Sequence, residues 1–204
     1  MKKRFFLTLA VVLSAVTLMA QQREGTFTVQ PKVGLNLSML SDADKAIADL
    51  CFGMEAEYML TDNFSLAGGI IVSNQGAKYD SNDLKYTADL DYANVPIVAN
   101  LYVLPGLALK AGIQPGFRLK AKVKTDNGSM DMDEFYQQAS IMVGEDWKLR
   151  KMDLAIPVGI SYEYNNLVLD ARYNWGLIKI ENIGDAYYNR VFQITLGYKF
   201  SLDF

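Results

Sequence analysis

Glu55 and Glu57 stand two residues apart in "MEAEYML", so in an extended strand both carboxylates leave the same face. An unneutralised carboxylate pair on one face is a general acid–base arrangement. Elsewhere, polar positions hold the opposite charge at Lys110, Arg118, Arg172 and Lys199, with two further acids at Glu163 and Asp170. A structural network of ion pairs in a confined interior accounts for the whole set, because an unpaired buried carboxylate is costly. Composition closes off other chemistry. The chain has no histidine and one cysteine, Cys51. Ser–His and Cys–His nucleophiles, a zinc cluster and an internal disulfide are therefore excluded. "DNGSMDMDE" from Asp126 to Glu134 is acidic, but its spacing does not match an EF-hand, and it reads as a solvated loop. No catalytic residue, metal ligand or cofactor is expected.

The elements that position these charges are strands. "LALKAGIQPGFRLKAKV" from Leu107 to Val123 alternates strictly, with apolar residues at odd positions and small or polar ones at even positions. The same period recurs in "TFTVQPKVGLNLSM" from Thr26, "CFGMEAEYML" from Cys51, "FSLAGGIIVS" from Phe64 and "YANVPIVANLYV" from Tyr92. It returns in "MDLAIPVGISYEY" from Met152, "LVLDARYNWGL" from Leu167 and "VFQITLGYKFSLDF" from Val191. That makes eight strands.

"TDN" at Thr61, "LPG" at Leu104 and "NN" at Asn165 are tight hairpin turns. The connections over 40–50, 74–91, 124–151 and 178–190 are long. Short and long alternate, so an up-and-down barrel would carry all its long loops at one end. Turns centred on Asp62, Pro105 and Asn165–Asn166 pair Glu55 with Gly69, Glu57 with Ala67, Lys110 with Asn100, and Ser161 with Asp170. Pro31, Pro96, Pro115 and Pro157 fall inside strands, where each removes a ladder hydrogen bond, so gaps or bulges are expected there.

The alternation by itself does not say which face meets water. Three features favour apolar-out. An eight-stranded barrel has room inside only for its own side chains, and the polar rows are rich in Gly and Ser while the apolar rows are bulky. The aromatics separate into two belts. Phe27, Tyr58, Phe64, Tyr162, Tyr164, Phe200 and Phe204 lie near the short turns. Phe52, Phe117, Tyr173, Trp175 and Phe192 lie nearer the long loops. The sequence also ends on Phe204, which resembles the terminal signal read by the outer-membrane barrel assembly machinery. On this reading Leu107 to about Phe117 crosses the bilayer, Lys110 lies in the lumen, and Lys120 and Lys122 rise into water.

The N-terminal "MKKRFFLTLAVVLSAVTLMAQQ" has a basic start and a short apolar core, the layout of a signal peptide over 1–20, with the barrel domain over 21–204. The signal holds three of 20 basic residues and none of 23 acidic ones, so the remainder carries 17 − 23 = −6, which disfavours nucleic acid. The long loop over 124–151 is the most apolar of the four. Its Met130, Met132, Phe135, Tyr136 and Trp147 are candidates for contact with a protein partner.

At "VPIVANLY", at the Gly-rich strand after "LPG", at "LDARYNWGL" and at "RVFQITLGYKF" the chain resembles the PorT-like, porin-family outer-membrane β-barrel domain of Gram-negative bacteria. The resemblance implies an all-β, eight-stranded antiparallel transmembrane barrel in contact with outer-membrane lipid. The family's name-giving member is linked to a secretion apparatus. The expected role is non-enzymatic, structural or interaction-based through the extracellular loops, with a plugged lumen. Two alternatives stand beside it: a small pore or accessory secretion component, and a soluble lipocalin-like carrier of an apolar ligand.

Overall fold

The computed structural model describes residues 23–40, 46–81, 84–125, 128–144, 148–180, 182 and 187–202. The strands are β1 (Phe27–Leu40), β2 (Ile47–Thr61), β3 (Phe64–Ser81), β4 (Leu84–Asn94), β5 (Ile97–Leu104) and β6 (Leu107–Thr125). The short β7 (Gly128–Asp131) and helix α1 (Met132–Val143) follow, then β8 (Met152–Tyr164), β9 (Leu167–Lys179), β10 (Tyr188–Tyr198) and β11 (Phe200–Leu202). β4 and β5 form one stave broken at Val95–Pro96, β10 and β11 form one stave broken at Lys199, and among the described residues β7 pairs only with β6. The eleven segments therefore make eight antiparallel staves, and β1 closes the ring by pairing with β2 on one side and with β10 and β11 on the other.

The registers follow from the turns. Glu55 faces Gly69, Glu57 faces Ala67, Lys110 faces Asn100 and Ser161 faces Asp170. Asn165 and Asn166 both have positive φ, 47° and 70°, as a two-residue hairpin turn of the favoured hand requires. Gly106 (φ 76°) closes the "LPG" turn, and the neighbouring β8 passes so near that a Cβ there would lie 2.4 Å from the Glu163 carbonyl oxygen.

The prolines sit where the ladders are interrupted. On the β1 edge, pairing lapses between Val29–Phe200 and Lys32–Gly197, beside Pro31. Between β6 and β8 it lapses between Ala111–Val158 and Gln114–Ala155, beside Pro157. Pro96 and Pro115 lie in one further gap, where β4 gives way to β5 along β6. Four missing N–H groups thus occupy three gaps, and the ring stays closed around them.

The apolar rows point outward. Leu35, Phe52, Ile70, Val158, Leu169 and Ile194 are all exposed, while Thr28, Asn36, Glu55, Asn100, Asp170 and Gln193 are buried. In water that inversion would forfeit the hydrophobic driving force; lipid around the staves removes the conflict. Tyr58, Tyr162, Tyr164, Tyr198 and Phe200 ring the short-turn end on the outside. Phe52, Phe117, Tyr173, Trp175 and Phe192 form the other belt. The Arg190 guanidinium lies 5.3 Å from the Trp175 ring centroid in the upper belt.

Above the upper belt the structure departs from the sequence reading. The expected long connection over 74–91 is mostly a continued strand pair, with β3 and β4 in register up to Ser81–Leu84. β2 likewise begins at Ile47, inside the expected loop. In β6 a bulge between Asp91 and Tyr92 of the facing strand leaves Leu119 unpaired and switches faces. Beyond it Ala121 is buried and Val123 half-buried, while Lys120, Lys122 and Lys124 are exposed.

The inward-turned residues have a small core of their own, in which Ala88, Leu90, Tyr92, Ala121, Met132, Leu149 and Ile180 pack with Val123 and Tyr136. Helix α1 completes it. The Asp131 side chain caps its N-terminus by accepting from the Asp133 N–H at 2.8 Å, and Gly144, with φ 74°, ends it. β4 and β6 are also joined on this extension by an ion pair between Lys124 and Asp89. Burial pushes the Asp89 carboxyl up, but hydrogen bonds from Lys124 and Asn74 outweigh it and hold the carboxyl below its ordinary value.

This orientation has a measurable cost attached. Ile194→Arg, near the middle of the outward row of β10, should lower unfolding free energy in lipid vesicles by about 2–4 kcal/mol. Leu119→Arg, above the upper belt, should cost far less. Urea titration followed by heat-dependent gel mobility checks both; equal costs would contradict the membrane boundary drawn here.

Candidate functional site

Midway along the lumen, five charged side chains from four strands meet. Arg172 of β9 is bidentate to Glu55 of β2, with Nη1–Oε1 at 2.6 Å and Nη2–Oε2 at 2.8 Å. Its Nε and Nη2 also donate to the two oxygens of Asp170, at 2.8 and 2.7 Å. Lys32 of β1 reaches Glu55 Oε2 at 2.7 Å and lies 3.7 Å from Asp170 Oδ2. Lys110 of β6 donates to Asp170 at 2.5 Å. All five are buried. Three cations and two anions give this layer a formal charge of 3 − 2 = +1.

Closer to the short turns lies a second layer. Lys199, at the break between β10 and β11, bridges Glu57 at 2.7 Å and Glu163 at 2.6 Å. It also donates to the Tyr102 hydroxyl at 2.9 Å, which in turn donates to Glu57 at 2.8 Å. Ser65 and Asn100 donate to the same Glu57 oxygen. One cation and two anions give 1 − 2 = −1, so the two layers together are neutral. Low dielectric makes such pairs strong and makes any unpaired member expensive.

Small residues make the space for these groups. Lys32 is flanked across the sheet by Gly53 and Gly197, and Glu55 by Gly69. Gly159 stands beside both Lys110 and Arg172. A Cβ at Gly69 would come within 2.8 Å of Glu55 Cγ and 2.2 Å of the Met54 carbonyl oxygen. The glycine-rich polar rows and the charges are thus two halves of one packing solution.

Of the residues singled out from sequence, the structure brings together Glu55, Lys110, Asp170 and Arg172 in one layer, and Glu57, Glu163 and Lys199 in the other. Arg118 joins neither. It sits at the lumen mouth, with Nη1 and Nη2 bidentate to Asp133 of α1 at 3.1 and 2.8 Å and Nε donating to the Arg150 carbonyl oxygen. Lys32 and Tyr102 were not singled out. Lys32 shares the inward parity of Gln30 and Asn36, which was the available signal; Tyr102 shares that of Asn100.

In the loop region, Met130 is exposed and Tyr136 half-buried, but Met132 is buried in the core beneath α1 and unavailable to a partner. Phe135 lies on α1. Trp147 and Phe204 lie outside the described residues. Among the described residues no cluster of ligating side chains is arranged to hold a metal.

Breaking the middle layer has a clear expected effect. Arg172→Gln should destabilise the barrel by about 3–5 kcal/mol, because Glu55 and Asp170 lose their shared partner. Glu55→Gln in the same background should cost less than it does alone. A double-mutant cycle by urea unfolding in vesicles measures this; additive losses would mean that the pair is not coupled.

Solved structures share this architecture. Ail, the attachment invasion locus protein of Yersinia pestis, in its complex with the heparin analogue sucrose octasulfate, is 18% identical. The match covers 87% of this chain and 99% of that one, with a TM-score of 0.52. Neisserial surface protein A is 15% identical over 87% of this chain and 100% of that one, also with a TM-score of 0.52. At these identities the likeness concerns the fold. The search of curated protein sequences found no match. The family model described as "Outer membrane protein beta-barrel domain" matches residues 19–182. With its apolar exterior, its aromatic belts and its closed ring of eight staves, the chain belongs to that outer-membrane β-barrel family and lies in the outer membrane as an integral barrel.

Proposed function

We propose that this barrel is a non-enzymatic, non-conducting protein that works through its extracellular face. The observation that carries the reading is the pair of charge layers. They draw side chains from β1, β2, β3, β5, β6, β8, β9 and the β10–β11 break into the lumen and tie them across it. The absence of histidine supports a non-enzymatic role. The inward-facing polar rows count against a carrier for an apolar ligand, because the bulky apolar residues lie outside. The extracellular end, by contrast, is built up into an extended sheet, a helix and a separate small core.

Within this reading, residues 1–20 act as an export signal, 21–204 form the barrel, and Phe204 engages the assembly machinery. The alternative that the likeness to PorT-like members implies, an accessory place in protein export, is separated by deletion: export of other proteins continues on the present reading and fails on that one.

Planar-bilayer recording of the refolded protein should show no single-channel events. The Glu55→Ala, Arg172→Ala double variant should show them, since the bidentate pair that spans the middle layer would be gone. Sustained events from the unmodified protein would refute the closed lumen.

A further inference from the structure

β3 is paired on both sides only as far as Ser73, where its partner on the β2 side is Cys51. Above that level β2 continues to Ile47, still paired with β1, but no longer with β3. The other side of β3 stays in register with β4 up to Ser81. From Asn74 to Ser81, eight residues of β3 therefore present one strand edge that no described residue pairs with by main-chain hydrogen bonds. The departure begins around Gly76. Its φ of 143° takes the backbone out of the ordinary strand region, and a Cβ there would meet the Ala88 carbonyl oxygen at 2.0 Å.

The sheet that carries this edge is firmly held. Its order above the membrane is β3, β4, β6, β7. Its inner face, through Ala88, Leu90 and Ala121, packs on Met132 of α1 and on Leu149 and Ile180. At its opposite edge β7 is only four residues long and runs directly into α1, which blunts it. Open strand edges are normally covered or shortened, since they offer rows of unpaired N–H and C=O groups. An edge of eight residues on a sheet with its own core is preorganised for one kind of occupant, another strand.

We propose that the outer edge of β3, Asn74 to Ser81, takes up an extended segment of a partner polypeptide by main-chain hydrogen bonding. This rests on the proposed extracellular interaction role and names its mode. The occupant is a strand of another protein rather than a second copy in the same membrane. Two upright barrels run their β3 strands in the same direction, so β3 of a second copy would pair in parallel, whereas every pairing this sheet makes is antiparallel, and the β2 edge it could offer instead, 47–50, is half as long as this one.

Hydrogen exchange on the refolded full-length barrel is the first test. Alternate amides of residues 74–81 should exchange much faster than those of 64–73, and uniformly slow exchange would show the edge to be covered. The second test uses a phage-displayed library of random peptides. Enriched peptides should slow exchange within 74–81, and N-methylation of alternate peptide amides should weaken them by at least about tenfold. Lys78→Pro should weaken binding comparably while leaving heat-dependent gel mobility unchanged, and Met142→Ala on α1 should leave binding intact. An absence of enriched peptides, peptides that protect α1 instead, or indifference to N-methylation would overturn the proposal. So would protection of 74–81 that rises with barrel concentration alone, which would identify a second copy as the occupant. Channel recording tests the closed lumen separately, and neither result decides the other.

Discussion

A charge placed inside an eight-stranded barrel has nowhere to go. The lumen holds only the side chains of its own wall, so each ion must find its counter-ion within that wall or remain costly. Much of the chain is arranged around this constraint. Arg172 satisfies Glu55 and Asp170 at once, and Lys32 and Lys110 supply the remaining bonds. Among the residues opposite them across the ladders are Gly53, Gly69, Gly159 and Gly197, which leave the volume that long charged side chains need. The bulky residues are driven to the outside, where lipid takes them. An apolar exterior, glycine-rich inner rows and a neutral pair of charged layers are consequences of one narrow geometry.

Above the bilayer the same rule runs in reverse. Water surrounds the staves there, and apolar residues must turn inward. The bulge in β6 makes that change in one step, moving Ala121 and Val123 from the outer face to the inner one and releasing Lys120, Lys122 and Lys124 to solvent. Helix α1 then covers what has been turned in, and Arg118 at the lumen mouth anchors it through Asp133. The membrane boundary is thereby written into the backbone as a change of facing.

Much of this was legible in the sequence. The two-residue period gave the staves, the alternation of short turns with long connections gave the topology, and the four prolines marked where ladders lapse. Asn100 opposite Lys110, and Asp170 opposite Ser161, follow from counting outward from the turns. The bulge was not legible, for a physical reason. "FRLKAKV" alternates whether its apolar residues face lipid or a water-shielded core, so the pattern persists while its meaning inverts. Helix α1 escaped because its segment is acidic and apolar without a long period, although Asp131 and Gly144 stood as readable caps. Lys32 was legible as inward-facing but not as a member of the cluster, since its partner Glu55 lies on the next strand beyond a long connection, with no tight turn from which to count the register.

The break at Lys199 bears on how the ring shuts. Lys199 lies on the seam where the last stave meets the first, and its ammonium is neutralised by Glu57 from the second stave and Glu163 from the sixth, with a further bond to Tyr102 from the fourth. The seam is therefore tied in register to both of those staves at once. A seam slipped by two residues keeps every side chain on its correct face, so hydrophobic patterning does not reject it. It would strand Lys199 without an acid, and the error would be charged at the rate of a buried, unpaired ion. The lysine thus serves as a register check on closure of the ring.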